Sequence, residues 1–241
     1  MKLETHCHST GASVCADVTD EQIINTYKSL DYDAIILTNH INWYWKEGYP
    51  RTSYKDKVDY FINRYNQLKT LANQKGLKVF LGAEVATITQ SGVHQEFLIV
   101  GFDKEFLYSN DLVYTCTQTK LFEIANQNGL FMWQSHPYRV GEERGDPKYM
   151  HGAEAFNCHF HHDNNNPQAT EFCRENSLIK MSGSDYHHGD QPVFAGIYIP
   201  DDIQTEKQLA NFLLANQPRL IVDQERCIIE REKYIKREKD L

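Results

Sequence analysis

The sequence opens with MKLETHCHST (residues 1–10), in which His6 and His8 are separated by one residue before the first helical pattern begins. Side chains two positions apart on a β-strand share a face, so a strand entering through Lys2 to Thr5 would aim both imidazoles at one point. Two convergent imidazoles are a common way to hold a metal ion. The alternative is a polar chain start without function, and the rest of the sequence must distinguish the two.

The composition is that of a globular protein, with 41% hydrophobic and 12% aromatic residues in a chain of 241. The formal charge of −8 argues against a nucleic-acid polymer as a partner, although bound metals would allow a small anion to bind. No apolar stretch approaches the roughly 18 residues of a membrane span, and the N-terminus lacks a signal-peptide layout. We therefore expect a cytoplasmic protein without membrane contact. The six cysteines form no CxxC pair, which argues against a zinc ribbon or a redox motif.

Short apolar runs alternate with amphipathic stretches along the chain. The runs are bounded by polar residues or glycine and predict buried strands: AIILT (34–38), VFLGAEV (79–85), EFLIVG (96–101), LFMWQS (130–135), AEAFN (153–157), LIKMSGS (178–184), AGIYIP (195–200) and RLIVD (219–223). Helical patterns lie between them, after a capping box at Thr19 and Gln22 and over 53–74, 118–127, 168–176 and 205–216.

This alternation predicts a single α/β domain whose sheet is largely parallel, either a barrel or an open doubly wound sheet. No linker, repeat or low-complexity tract divides the chain, so we expect one domain over residues 1–241. The stretch ERCIIEREKYIKREKDL (225–241) alternates charge signs and predicts a solvent-exposed terminal helix.

Residues with metal-ligand chemistry recur where the predicted strands end. In either kind of sheet, functional residues gather at the carboxyl ends of the strands. Five strands end this way, at His6 and His8, at Asn39 and His40, at Glu84, at His136, and at Asp185 and His187. One such end has an ordinary explanation, such as a hydrogen-bonded histidine, whereas five at the same edge predict a site.

The size of this set points to more than one metal ion. Imidazole and carboxylate together suit zinc, manganese or iron, and a structural zinc needs only four ligands. Glu84, placed between imidazole pairs, would give one oxygen to each of two ions held roughly 3.5 to 4 Å apart, as in two-metal hydrolases. A hydroxide between the ions would then be the nucleophile, without a serine or cysteine.

The motifs ETHCHS, LTNHI, GAE, SHPYR and SGSDYHH resemble, in order and approximate spacing, those of the PHP superfamily of polymerase and histidinol phosphatase domains. EAFN (154–157) is similar to a Glu-x-x-Asn strand of that family. The resemblance covers residues 2 to about 200, followed by a C-terminal strand and helix over about 203–241. It implies a distorted seven-stranded (β/α) TIM-like barrel with two to three divalent metals at its mouth, hydrolysing phosphate esters.

The resemblance also implies a ligand set. His6, His8, Glu84 and Asp185 match the ligands of a first metal, and Glu84 would bridge to a second metal that His136 also holds. For the remaining second-metal ligand, strand register favours Glu96 and ligand type favours His94, and both stay open. The third-metal ligands match His40 and His187.

Two departures from the family pattern concern the third metal. Asn39 stands where the family usually has aspartate, which removes a negative charge. The stretch TGASVCAD (10–17) lacks the expected histidine or aspartate ligand, and Cys15 is either its thiolate substitute or a small buried residue.

Substrate contacts are predicted next to the metals. Arg139 is placed to bind phosphate oxygens in a bidentate way. The alternative is that Arg139 is a rim residue that pairs with Glu142 or Glu143. Arg144 is a second candidate for the phosphate contact. Asp185 or His187 would relay a proton to the leaving oxygen. His159, in the histidine-rich loop NCHFHHDNNN (157–166), is a candidate ligand or phosphate contact.

The sequence thus predicts a metal-dependent phosphoesterase acting on a small phosphomonoester or nucleotide. NWYWKEGYP (42–50) is either a lid that stacks on an aromatic substrate or a cover for the barrel core. Two alternative functions are an amidohydrolase-like metal hydrolase, for which no strand-end lysine is available, and a degenerate PHP domain that binds metal or a partner without catalysis.

Overall fold

A computed structural model of the protein describes residues 1–42, 45, 53–89, 91–112 and 116–239. Its α-helices are α1 (Asp20–Ser29), α2 (Tyr54–Gln74), α3 (Lys104–Ser109), α4 (Gln118–Asn128), α5 (Asn166–Glu175), α6 (Glu206–Ala215) and α7 (Gln224–Lys239), with a 3-10 turn at Pro147–Tyr149. The capping box predicted at Thr19 and Gln22 is present at the start of α1. No helix in the described part of the chain is long and apolar enough to cross a membrane.

The strands form one mixed sheet that curls into a nearly closed barrel. They are β1 (Lys2–Cys7), β2 (Ala34–Leu37), β3 (His40–Ile41), β4 (Lys78–Thr87), β5 (Gln95–Val100), β6 (Phe131–Gln134), β7 (Gly152–Asn157), β8 (Ile179–Gly183), β9 (Gly196–Tyr198) and β10 (Arg219–Ile221). Their order is β10-β9-β1-β2-β4-β5-β6-β7-β8, with β3 beside β4. Closure occurs where the backbone of Tyr186, beyond β8, exchanges hydrogen bonds with His6 and His8. The predicted distorted barrel is confirmed.

The prediction of a largely parallel sheet needs correction at β9, which is antiparallel to both β1 and β10, and at β5. Strand β5 is antiparallel to both β4 and β6. The connection from β4 to β5 is short, over residues 88–94, whereas the connection from β5 to β6, over residues 101–130, contains α3 and α4. The beginning of β5 therefore lies at the same end of the barrel as the carboxyl ends of β4 and β6. His94 and Glu96 reach the barrel mouth for this reason.

Two apolar layers hold the sheet. An outer layer packs the buried faces of α1, α2, α4 and α5 against the sheet, with Tyr27, Phe61 and Phe172 among its members. An inner layer fills the barrel opposite the mouth, where Leu209 and Leu213 of α6 contact it. Burying both layers leaves the mouth as the polar end of the interior.

A bulge in β1 decides which side chains face that mouth. Between Glu4 and Cys7 the strand has one residue more than its partner segment Ile35 to Leu37. The extra residue shifts the alternation, so Leu3 joins the inner apolar layer while His6 and His8 also face inward.

The proposed aromatic lid over 42–50 lies outside the described residues except for Asn42 and Trp45. Trp45 is buried in the outer layer, where its ring lies 5.5 Å from Phe61 and its Nε1 donates to the carbonyl of His40. For this residue the structure supports a core role rather than a lid.

Candidate metal centre

The predicted ligands converge at one cavity of about 350 Å³ at the barrel mouth. Glu84 of β4 lies at its centre. Glu84 Oε1 is 3.3 Å from both His6 Nε2 and His136 Nε2. Glu84 Oε2 is 3.3 Å from His8 Nε2 and 3.1 Å from His40 Nδ1. One carboxylate thus faces four imidazoles, two on each oxygen.

Asp185 closes the other side of this group. Its Oδ1 lies 3.3 Å from His6 Nε2 and 3.6 Å from His8 Nε2, and its Oδ2 lies 3.9 Å from His136 Nε2. Four residues from three strand ends, His6, His8, Glu84 and Asp185, therefore present ligand atoms to a common point, as predicted for a first metal.

The donor atoms have the properties that a metal site requires. Ten buried side-chain nitrogen and oxygen atoms in the described chain lack a hydrogen-bond partner, and five of them are the atoms of His6, His8, His40 and Glu84 that face one another. Leaving such atoms unpartnered costs free energy, so their convergence needs an explanation. Imidazole nitrogens and carboxylate oxygens at these separations fit divalent cations of the zinc, manganese or iron class.

Three of the candidate ligand histidines, His6, His8 and His136, have a polar partner at Nδ1, as metal ligands usually do. His6 Nδ1 lies 2.9 Å from Glu154 Oε1, and His136 Nδ1 lies 2.8 Å from Glu142 Oε2. His8 Nδ1 lies 3.0 Å from Ser13 Oγ, whose proton goes to the amide oxygen of Asn39. His8 therefore donates from Nδ1, and its Nε2 carries the free lone pair directed at the site.

Asn39 thus has a defined place despite its departure from the family pattern. Its Oδ1 accepts from the backbone N–H of Ser9 at 2.9 Å and from Ser13 Oγ at 3.0 Å. Both contacts need only an acceptor, so an amide oxygen serves where a carboxylate usually stands.

Backbone conformation places the ligands at two strand ends. His136 and Asp185 have positive φ values of 28° and 52°, in the region that residues other than glycine rarely adopt. Gly183 lets β1 and β8 approach, because a Cβ there would lie 2.5 Å from Glu154 Oε1 and 2.6 Å from His6 Cβ. Strain of this kind clusters at functional sites.

The ionisation states follow from burial and mutual contacts. Burial alone would raise the pKa of Glu84 and Asp185, but His6 and the other neighbouring cations outweigh it and hold both pKa values well below the usual range. Burial and Arg139 lower the pKa of His136, but Glu142 and Glu84 outweigh them and raise it to about 10. The pKa of His8 shifts in the opposite direction. Burial and the neighbouring rings of His187 and His40 lower it well below 6.5.

A second group of ligand atoms lies beside the first. His8, His40 and His187 place nitrogen atoms within 4.8 Å of one another. Cys15 lies with them at the cavity wall, and although partial burial opposes ionisation, hydrogen bonds with His187 and His40 lower its pKa to about 6. The structure thus brings Cys15 to the two residues predicted to hold the third metal.

The two candidates at the start of β5 occupy different positions. Glu96 places Oε1 3.5 Å from His40 Nδ1 and Oε2 4.0 Å from His136 Nε2. Burial and the nearby Glu84 raise the pKa of Glu96 to about 7. His94 also lines the cavity but is exposed at its rim, just before the strand begins. The geometry favours Glu96.

The two arginines predicted to contact substrate lie in different cavities. Arg139 is mostly buried at the cavity wall, where it pairs with Asp185 Oδ2 and donates from Nε to Asn164 Oδ1 at 2.8 Å. It lies 3.9 Å from Glu142 as well. Arg144 does not line this cavity: it lies in a neighbouring one, stacked over Tyr138 and hydrogen-bonded to the Tyr138 hydroxyl, and this position does not support a substrate contact.

The histidine-rich loop lies over the same mouth. His159 is buried and lines the cavity, and burial lowers its pKa well below 6.5. Burial and Arg139 lower the pKa of His162 to about 4. These lowered pKa values favour the neutral rings at pH 7, which argues against an attraction of a protonated histidine for phosphate.

Sequence reasoning missed the residues that support the ligands. Glu4 is fully buried under the site, and its Oε1 accepts from the backbone N–H groups of Thr5, His6 and Ser184 at 2.9 Å each. Burial raises the pKa of Glu4 to about 7. Ser13 was missed too. A polar residue within an otherwise buried strand was the available signal for Glu4, but its partners become visible only once β1 and β8 are adjacent.

Comparison with known proteins gives matches among solved structures. No family model matches the chain, and no curated protein matches it. PsfC from Pseudomonas syringae is 17% identical, with a TM-score of 0.68 over 96% of each chain. An amidohydrolase from Chromobacterium violaceum with bound sulfate is 12% identical, with a TM-score of 0.58 over 93% of this chain and all of that one.

Two further matching structures are described as a predicted phosphoesterase and as an endonuclease. A two-domain protein from Bacteroides vulgatus, described as containing a predicted PHP-like metal-dependent phosphoesterase, is 21% identical with a TM-score of 0.53, over 79% of this chain and 53% of that one. Endonuclease Q from Pyrococcus furiosus is 12% identical with a TM-score of 0.56, over 92% of this chain and 57% of that one.

These matches bear on two expectations. Endonuclease Q has also been solved in complex with a 27-mer duplex substrate that has an abasic lesion at the active site, and the match covers 57% of that chain. Net charge alone was therefore an insufficient reason to argue against such partners. The resemblance to the PHP superfamily is supported at the level of architecture, and the chain has the fold of PHP-like metal-dependent phosphoesterases.

Proposed function

We propose that this protein is a metal-dependent phosphoesterase that hydrolyses a small phosphomonoester at the barrel mouth. The observation that carries the proposal is the convergence of five unpartnered ligand atoms, from His6, His8, His40 and Glu84, beside the buried guanidinium of Arg139. Divalent ions bound there would supply Lewis acidity and a nucleophile derived from water.

The ligands divide into three groups in this proposal. His6, His8, Glu84 and Asp185 hold the first ion. Glu84, His136 and Glu96 hold the second, since Glu96 rather than His94 approaches His136. Cys15, His40 and His187 are available to a third, where the thiolate favours zinc or iron.

Arg139 supplies the phosphate contact. Among the described residues that line the cavity, it alone carries a fixed positive charge, and no lysine lies there. A guanidinium fixed by Asp185 and Asn164 meets two phosphate oxygens without first losing side-chain entropy. The lack of a lysine in that lining also disfavours the amidohydrolase alternative, which typically uses a carboxylated lysine.

The size of the cavity indicates the substrate class. A volume of about 350 Å³ is near the lower end of small-molecule sites and accommodates a phosphate with a small organic group. A single fixed cation in the described lining matches one terminal phosphate rather than a polyphosphate.

Proton transfer to the leaving oxygen falls to His187 or Asp185. His187 is the better donor, because Asp185 outweighs burial and raises the pKa of His187 to about 10, whereas Asp185 itself is held ionised. His187 cannot ligate a third ion and donate a proton at once. A two-metal site with His187 as acid and a three-metal site are therefore alternatives, which the number of bound ions decides.

The test is a phosphate-release screen on the purified protein loaded with manganese or zinc. We expect release from small phosphomonoesters and its loss in His8→Ala and Asp185→Ala, together with lost metal. Cleavage of a duplex oligonucleotide with an abasic lesion, without release from any monoester, would show that the substrate class is wrong. Unchanged turnover in both variants would show that the site is wrong.

A further inference from the structure

We propose that His159, His161 and His188 form a separate divalent-cation site of the zinc class at the rim of the barrel mouth. The three residues place nitrogen atoms within 4.8 Å of one another. Three imidazoles and one open position form a coordination set that zinc commonly adopts in proteins.

The three rings come from two loops that the fold brings together. His159 and His161 follow β7, and His188 follows β8. The rings of His161 and His188 are stacked with their centroids 5.4 Å apart, and those of His159 and His161 are 5.1 Å apart at 72°. A cation held by all three would tie the two loops to each other.

His188 shows the same arrangement as the ligands of the main centre. Its Nδ1 lies 3.1 Å from Asp17 Oδ2, as the Nδ1 atoms of His6 and His136 lie beside Glu154 and Glu142. A carboxylate at Nδ1 leaves the Nε2 lone pair free and raises its basicity toward a metal.

The C-terminal helix supports the third ring from outside. Tyr234 of α7 stacks on His161, with ring centroids 4.3 Å apart and an interplanar angle of 26°. This contact holds the His161 ring in place while leaving its edge accessible. A helix with few other buried residues thereby contacts the rim site.

His159 borders both sites. It places a nitrogen within 4.8 Å of ligand atoms of Asp185 and His187 as well, and its Nδ1 accepts a long hydrogen bond, 3.3 Å, from the backbone N–H of His161. Binding a cation through Nδ1 replaces that bond, and binding through Nε2 requires the other tautomer. A variant at His159 would affect both sites, so the test uses His161 and His188.

The experiment is equilibrium dialysis of the full chain against buffered zinc, followed by elemental analysis. We expect His161→Ala and His188→Ala each to hold one zinc ion fewer per chain than the unaltered protein. The matched control is His151→Gln, which removes an imidazole before β7, at the opposite end of that strand, and keeps an acceptor for the N–H of Met132.

Thermal unfolding separates this loss from misfolding. In chelator, both variants and the control should unfold near the temperature of the unaltered protein, and zinc should then stabilise the two variants less. An unchanged zinc count in His161→Ala and His188→Ala would overturn the rim site. That outcome leaves the proposed phosphoesterase site standing, because neither residue belongs to it.

Discussion

Arg139 shows how a single side chain is prepared before any substrate arrives. Its Nε is held by Asn164, its Nη2 pairs with Asp185, and the side chain is only 11% exposed. The guanidinium therefore reaches the cavity in a fixed orientation. Asn157, at the end of β7, lies 3.5 Å from Nη2 and completes this arrangement.

Replacing Arg139 by alanine should weaken substrate binding more than metal binding. Hydrogen bonds to charged groups contribute about 1.5–3 kcal/mol, so we expect kcat/KM for a phosphomonoester to fall roughly 10- to 150-fold. Metal content, measured by elemental analysis, should stay within one ion of the unaltered protein.

Arg144→Ala is the matched control for this prediction. Arg144 lies outside the cavity and stacks over Tyr138 and Phe172, so its loss should leave kcat/KM nearly unchanged. Equal losses in the two variants would contradict the assignment of Arg139 as the phosphate contact.

The sequence reveals candidate ligands more readily than the residues that support them. The convergence of His6, Glu84 and Asp185 was predictable because ligand chemistry at strand ends is visible in a linear pattern. Glu4 and Glu154 were not assigned a supporting role, because their partners lie 148 to 180 positions away in the chain. Such contacts depend on which strands become neighbours.

The proposed position of the first metal depends on the contact between β1 and the end of β8. Gly183 has no side chain at the point where Glu154 and His6 approach it. Both ligand pairs, His6 with His8 and Asp185 with His187, extend from this junction. The bulge in β1 and the left-handed backbone of Asp185 then turn the side chains inward.

Gly183→Ala should disturb this junction. The new Cβ would lie closer to His6 Cβ and Glu154 Oε1 than van der Waals contact allows, and overpacking of this kind costs about 1–3 kcal/mol. We expect a lower free energy of unfolding in denaturant titrations and a reduced metal content.

The matched control is Gly189→Ala, where a Cβ would meet only the flexible end of Gln22, at 3.1 Å. This variant should keep its metals and its stability. If Gly183→Ala bound metals as fully as Gly189→Ala, the close approach of β1 and β8 would not be what positions the first metal ligands.

Strand direction was the main feature of the elements that the sequence did not reveal. Apolar runs predicted the described strands other than β1, which was inferred from the spacing of His6 and His8, and β3, the shortest. Helical patterns predicted five of the described helices, and alternating charge predicted α7. The run EFLIVG has the composition of a buried strand in either direction, so its antiparallel pairing with β4 was not visible. The ambiguity between His94 and Glu96 arose from the same cause, because it depends on how β5 meets the mouth.

At the scale of the whole molecule, three histidines of the candidate metal site remain protonated at higher pH than free histidine when no metal is bound. Burial alone lowers the pKa of His40, His136 and His187, but neighbouring carboxylates outweigh it and raise these pKa values to about 9, 10 and 10. In the unfolded chain the same groups titrate near 6.5. Their protonation therefore stabilises the metal-free fold fully below about pH 6.5.

Metal-free protein should lose this stabilisation as the pH rises from about 6.5 through 9 to 10. Metals need neutral imidazoles, so their affinity should rise over the same interval as protons are released. Thermal unfolding in chelator should show a falling midpoint, and calorimetry of zinc binding in buffers of different ionisation enthalpy should show proton release. Zinc binding without proton release would contradict the assigned ligands.

The metal content of Glu84→Gln tests the central claim most directly. Glu84 contacts four imidazoles, two on each oxygen. Glutamine keeps the volume of the side chain and one oxygen, but its NH2 group cannot ligate a cation, so the variant loses an oxygen ligand for one of the first two ions and the negative charge shared by both. We predict at least two divalent ions per chain in the unaltered protein and the loss of at least one in a folded Glu84→Gln variant. Equal metal content in the two proteins would contradict the metal centre proposed for this barrel.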